Sequence, residues 1–130
     1  MRSEQEMLAM IVNTAKNDGR IRAVMMNGSR VNSNVKRDIF QDFDIIYFVT
    51  DIDSFTNNHA WIEQFGEIMI VQMPDAMGNT SPMDDGHFAY LVQFADGNRI
   101  DLTLFSLAKL PEFKAESLSF MLLDKDGIFE

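Results

Sequence analysis

The 130-residue sequence has no cysteine, so neither a disulfide framework nor a thiolate zinc site is available to it. It also lacks any run of 18 apolar residues, which excludes a membrane-spanning helix by hydropathy. Basic residues are scarce: 11 Lys+Arg stand against 20 Asp+Glu, for a formal net charge of −9. Non-specific nucleic-acid binding draws its affinity from phosphate neutralisation by Lys and Arg, so this balance argues against a nucleic-acid partner. It suits metal ions and cationic small molecules. The opening Met1-Arg2-Ser3-Glu4-Gln5-Glu6 turns acidic where a signal peptide would become apolar, and a cytoplasmic location with no membrane partner is expected. Repeats, linkers and low-complexity tracts are missing as well. What remains is one domain, 46% hydrophobic and long enough to bury a core.

Ser3 followed by Glu6 has the form of a capping box, and Met7, Leu8, Ile11, Val12 and Ala15 continue at helical spacing until Gly19. Ile21 to Met26 reads as a short buried strand running into the turn Asn27-Gly28-Ser29-Arg30. Val31 to Gln41 is polar, a loop or a short helix. Asp44 to Thr50 is rich in β-branched and aromatic residues and is the strongest strand signal. Asp53 to Phe65 predicts a helix capped by Asp53 or Ser54 and closed by Gly66, with Trp61 and Phe65 on its core side. A strand at Ile68 to Met73, a surface loop from Pro74 to Gly86, and a hairpin of His87 to Phe94 with Arg99 to Phe105 follow. Leu118, Met121 and Leu122 predict a last helix before Gly127. The fold class is α/β in the broad sense (α+β): a mixed β-sheet flanked by helices.

Three features carry chemistry. Gly28-Ser29 ends a strand, where a glycine lets backbone N–H groups approach a phosphate and the Ser29 hydroxyl adds a donor; a plain turn is the competing reading. Asp42 and Asp44 share one face of a strand, and two carboxylates there repel unless a cation lies between them; an acidic strand end in water is the alternative. Asp101 lies in Arg99-Ile100-Asp101-Leu102-Thr103-Leu104, whose alternation puts Arg99, Asp101 and Thr103 on one face. If that face is the one holding Asp42 and Asp44, three carboxylates meet. Carboxylates beside a phosphate cradle are the parts of magnesium-assisted phosphoryl or nucleotidyl transfer.

Gly28-Ser29, twelve intervening residues, Asp42-Phe43-Asp44 and a later Asp101 resemble the signature of the polymerase-β-like nucleotidyltransferase superfamily. Within it, Asn27-Gly28-Ser29-Arg30-Val31-Asn32, Asp38 to Ile45, Phe48-Val49-Thr50-Asp51 and Asp96 to Leu104 are similar to the aminoglycoside 6-adenylyltransferases, a likeness that runs over the whole sequence. The resemblance implies the nucleotidyltransferase fold and a reaction that moves AMP from ATP to a hydroxyl of a streptomycin-like aminoglycoside. It implies that Gly28 and Ser29 hold the ATP phosphates, with Arg30 placed to neutralise their charge. Asp42 and Asp44 would hold Mg2+, and Asp101 would match the third carboxylate, a metal ligand or a base near the attacking hydroxyl. Members of the family are about twice as long and carry a mainly helical C-terminal domain. Residues 1–130 are therefore expected to be the nucleotidyltransferase domain alone, with an uncovered apolar face prone to self-association. A minimal nucleotidyltransferase acting on a protein partner and a non-catalytic interaction module are the rival readings.

Other groups are weaker candidates. Asp51-x-Asp53 repeats the paired spacing but precedes a helical pattern and is expected to cap it. Asp124-Lys125-Asp126-Gly127 is too short for a calcium loop and reads as a helix C-terminus. His59 and His87 lack zinc-type spacing. The ten Met residues are expected to fill the core.

Overall fold

The computed structural model describes residues 3–27, 42–73, 87–112 and 119–127. Helix α1 (Glu4–Lys16) starts on the capping box: Glu6 N–H donates to Ser3 Oγ at 3.1 Å and Ser3 N–H to Glu6 Oε1 at 3.2 Å. Its buried stripe is Met7, Ile11 and Ala15, one residue per turn. The stripe packs on a six-stranded sheet built from β1 (Ile21–Asn27), β2 (Asp42–Val49), β3 (Ile68–Gln72), β4 (His87–Phe94), β5 (Arg99–Ser106) and β6 (Ser119–Asp124), in the order β3-β4-β5-β2-β1-β6. Only β2 and β5 run parallel; the other neighbours are antiparallel. The mixed, helix-flanked sheet expected from the sequence is the observed one.

Alternation along the strands divides the side chains between two faces. Phe43, Ile45, Tyr47 and Val49 of β2, Ile100, Leu102 and Leu104 of β5, and Phe88, Tyr90, Val92 and Phe94 of β4 form the core beneath α1. The Tyr47 hydroxyl donates to the Ile11 carbonyl at 2.6 Å, tying the central strand to the helix, and burial pushes its phenol pKa well up. On the other face Ala23, Met25, Ile46 and Phe48 form a smaller cluster. Phe105, Leu107 and Leu110 pack on it, the last two from a 3-10 helix at Leu107–Glu112. That cover lies toward the end of β5. The face at the beginning of β2 and β5 holds the acidic residues.

Two expectations are corrected. The single helix over Asp53 to Phe65 is instead a short α2 (Asp53–Thr56) followed by a 3-10 helix (His59–Phe65). Asn57-Asn58 makes the break: Asn58 is extended, and its side chain accepts from Ala60 N–H at 3.0 Å, the local bonding that draws Asn out of helix interiors. Neither Asp53 nor Ser54 caps α2: the cap position is Ile52, which offers no side-chain bond, and just before it Asp51 Oδ1 accepts from Asp53 N–H at 3.1 Å. Gly66 closes the second piece with φ 142°, a conformation that favours glycine.

The last helix is a strand. β6 lies antiparallel to β1 and forms an edge of the sheet. Leu118, Met121 and Leu122 fit helical spacing, but Phe120-Met121-Leu122-Leu123 is a continuous apolar run, which periodicity alone does not assign. The backbone groups on the outer side of β1 need partners, and β6 supplies them. Asp124-Lys125-Asp126-Gly127 is accordingly the exit from a strand. There Asp126 pairs with Arg22 at 2.8 Å, and Lys125 Nζ donates to the carbonyls of Ala15 and Asp18 at the end of α1.

The hairpin between β4 and β5 is as expected. Gly97 has φ 92°, and Asn98 N–H donates to Asp96 Oδ1 at 3.1 Å within the turn. The loop expected at Pro74 to Gly86 and the polar stretch at Val31 to Gln41 lie outside the described residues.

Candidate active site

Because β2 and β5 are parallel and in register, Asp42 stands opposite Arg99, Asp44 opposite Asp101, and Ile46 opposite Thr103. Phe43 between the two acids is fully buried in the core, so alternation gives Asp44 to the opposite face. Directly paired residues on neighbouring strands share a face at about 5 Å. Asp44 and Asp101, distant in the chain, thus become nearest neighbours across the sheet. Asp42 takes its place by register; its side chain lies outside the described residues. On the outer flanks of the pair are Asn27 of β1, partner of Asp44, and Leu91 of β4, partner of Asp101.

Asp101 has an unusual environment. Its side chain is 40% exposed, yet Oδ1 is shielded from solvent and accepts no hydrogen bond from any described residue. Arg99 Nε stands 3.4 Å from that oxygen, an ion pair outside hydrogen-bond geometry. A shielded carboxylate oxygen with spare acceptor capacity is costly unless a cation or donor completes it. Hard oxygen donors on adjacent strands, one of them incompletely satisfied, fit a magnesium ion. Among the described residues no group of three Asp, Glu or His side chains is gathered to hold a metal; the Asp42 side chain is not one of those residues.

Asn27 ends β1 beside Asp44, and Gly28, Ser29 and Arg30 follow it in the sequence. Those three residues lie outside the described residues. Arg99 is the residue that sequence reasoning left without a role. The signal was present in the alternation of Arg99 and Asp101, but its meaning depends on the register with Asp42, which no local pattern gives.

The weaker candidates have ordinary surroundings. Asp51 accepts from Asp53 N–H at the start of α2. The His59 ring, through Nδ1, lies 2.7 Å from the Tyr90 hydroxyl and stacks on Phe88. Trp61 and Phe65 pack edge to face at 5.8 Å, with Phe65 buried in the core and Trp61 against it. Met7, Met25 and Met26 are buried, whereas Met69 is 65% exposed on β3, so methionine is not confined to the core. No helix among the described residues is long and apolar enough to cross a membrane.

The mixed six-stranded sheet with its flanking helices is similar to that of a solved adenyltransferase. The crystal structure of an aminoglycoside 6-adenyltransferase from Bacillus subtilis superposes with a TM-score of 0.79 at 38% identity, covering 100% of this chain and 44% of that one. The chain belongs to the streptomycin adenylyltransferase family, whose model matches residues 1–130. Among curated relatives, an aminoglycoside 6-adenylyltransferase of Campylobacter jejuni is 48% identical over 128 residues, 98% of this chain and 44% of the relative. Its counterpart in Bacillus subtilis (strain 168) is 45% identical over 129 residues, 98% of this chain and 45% of the relative. One from Staphylococcus aureus is 36% identical over 130 residues, 98% of this chain and 46% of the relative. The chain therefore spans somewhat less than half the length of these relatives.

Proposed function

We propose that residues 1–130 form the nucleotidyltransferase domain of an aminoglycoside adenylyltransferase, which moves AMP from ATP to a hydroxyl of a streptomycin-like drug. The observation that carries the reading is the Asp44–Asp101 register pair with its incompletely satisfied Oδ1, in a chain of this family. In this reading the ATP phosphates lie against Gly28, Ser29 and Arg30, next to the end of β1. Asp42 and Asp44 would hold Mg2+, which would supply positive charge to the oxygens of the phosphorus group in transfer. The drug hydroxyl attacks the α-phosphorus, a new P–O bond forms, the bond to pyrophosphate breaks, and the hydroxyl proton leaves for a base. Asp101 is either that base or the third metal ligand. The rigid parallel pair keeps the carboxylates in fixed positions, so positioning and charge stabilisation are most of what the domain contributes. Use of ATP sets the reaction in the cytoplasm. In this reading a helical domain that completes the drug pocket would lie in the length by which the relatives exceed this chain.

The test is a calorimetric titration of the full chain with ATP, with and without Mg2+ and streptomycin, followed by mass spectrometry for an AMP adduct on the drug. Magnesium-dependent ATP binding is expected, and an adduct would establish that these residues suffice for the whole reaction. Asp44→Asn should reduce magnesium-dependent binding by about tenfold or more, the scale of losing one charged ligand. An adduct on a protein in place of the drug would favour the protein-modifying alternative. Absence of any metal-dependent nucleotide binding would leave the interaction-module reading.

A further inference from the structure

We propose that Arg99 is the resident counter-ion of the acidic site, holding Asp101 while no nucleotide is bound and transferring its charge to the phosphates when Mg-ATP arrives. This rests on the reading of the Asp44–Asp101 face as a nucleotidyl-transfer site.

Three arginine–aspartate pairs among the described residues are not alike. Arg20 grips Asp18 with two side-chain bonds of 2.9 and 2.6 Å, and Arg22 grips Asp126 with two of 2.9 and 2.8 Å. Both are bidentate forks with a structural purpose, the first closing the turn before β1 and the second joining β1 to the exit of β6. Arg99 meets Asp101 only through Nε at 3.4 Å, with the two side chains 48% and 40% exposed. A pair with both side chains partly exposed and no aligned hydrogen bond has little net free energy and exchanges readily. It neutralises charge without consuming the acceptor, since Oδ1 still takes no hydrogen bond from the described residues.

Register places Arg99 opposite Asp42, two residues before Asp101. The Arg99 position thus adjoins the Asp42 position across the sheet and Asp101 along its own strand. The planar guanidinium fork suits phosphate oxygens better than an ammonium does. A divalent ion arriving alone meets a carboxylate whose charge is already offset, and Arg99 repels it. Arriving with a triphosphate, the same ion leaves Arg99 with a new anionic partner. Metal and nucleotide binding are then coupled positively through one side chain.

The coupling gives opposite signs in one variant. For the full chain, titrations with Mn2+ alone, with Mg-ATP and with AMP are compared between wild type, Arg99→Gln and Arg99→Lys. Arg99→Gln should bind Mn2+ alone about three- to tenfold more tightly and Mg-ATP about tenfold more weakly, with AMP little changed. Arg99→Lys should return Mn2+ affinity to near the wild-type value but recover Mg-ATP affinity only in part, because the charge is kept and the fork is lost. The Lys variant also guards against a folding defect in the Gln variant. If Arg99→Gln weakens both ligands together, or leaves both unchanged, the counter-ion role is overturned while the site reading stands. If the wild-type chain shows no magnesium-dependent ATP binding, the site reading itself falls and takes the proposal with it.

Discussion

Asp18 and Arg20 show what a single well-formed pair does in a small acidic domain. The Arg20 side chain is the main cause of the low Asp18 pKa, partly offset by burial of the carboxylate. The same guanidinium donates to the Ser54 carbonyl and lies 3.9 Å over the Phe55 ring, joining the α1–β1 turn to α2. A carboxyl pKa held down in the folded state contributes stability above the unfolded value near 4, and that contribution is lost as pH falls through the lower folded value. Asp18→Asn should therefore cost about 1 kcal/mol at pH 7, where the pair is partly exposed, and progressively less below about pH 4. Urea unfolding of both proteins at several pH values checks this. An equal penalty at pH 7 and pH 3 would mean that the charge plays no part.

At the scale of elements, the two outer strands are the vulnerable ones. β6 forms one edge and β3 the other, and Phe120 at 54% and Ile70 at 51% exposed lie on them beside Met121 and Met69. An apolar edge strand is a template for pairing with another chain, and natural edges are usually blunted with charge. We expect concentration-dependent association of the chain, relieved by Phe120→Lys with a stability change within about 0.5 kcal/mol. Sedimentation across a range of concentrations reads it; a wild-type monomer throughout would clear this edge. The same strand marks the limit of what was legible in the sequence. The capping box of α1 and the Asp96-Gly97 hairpin were readable because their causes lie within a few residues. β6 was not, since its strand state comes from the unpaired side of β1, far away in the chain. The break at Asn57-Asn58 was local but hidden beneath a helical apolar pattern. Of the site, the face shared by Asp42 and Asp44 was readable from period two. Its junction with Asp101 needed the parallel register, and so did the position of Arg99.

For the whole molecule, the net charge of −9 sets the long-range field. A polycationic drug would be steered toward it, and salt would screen the attraction over about 10 Å at 0.1 M. In the proposed function, association of streptomycin should slow as ionic strength rises, while association of an uncharged sugar should not. Stopped-flow rates at several salt concentrations compare them, and equal behaviour would assign the recognition to short-range contacts alone.

The parallel pairing of β2 with β5 also sets an order of events. β4 and β5 are joined by a four-residue turn and close cheaply, whereas β2 must wait for α2, the 3-10 helix and β3 to intervene before β5 reaches it. Loop-closure entropy disfavours that contact early in folding. In pulse-labelled refolding, amides of β4 and β5 should gain protection before those of β2; simultaneous protection would contradict this sequence. A partly folded chain then carries Asp101 on a hairpin with no Asp44 beside it. The acidic pair comes into being with the last central contact, so a cation bound there would slow unfolding and would have no template to assist in the collapsed chain.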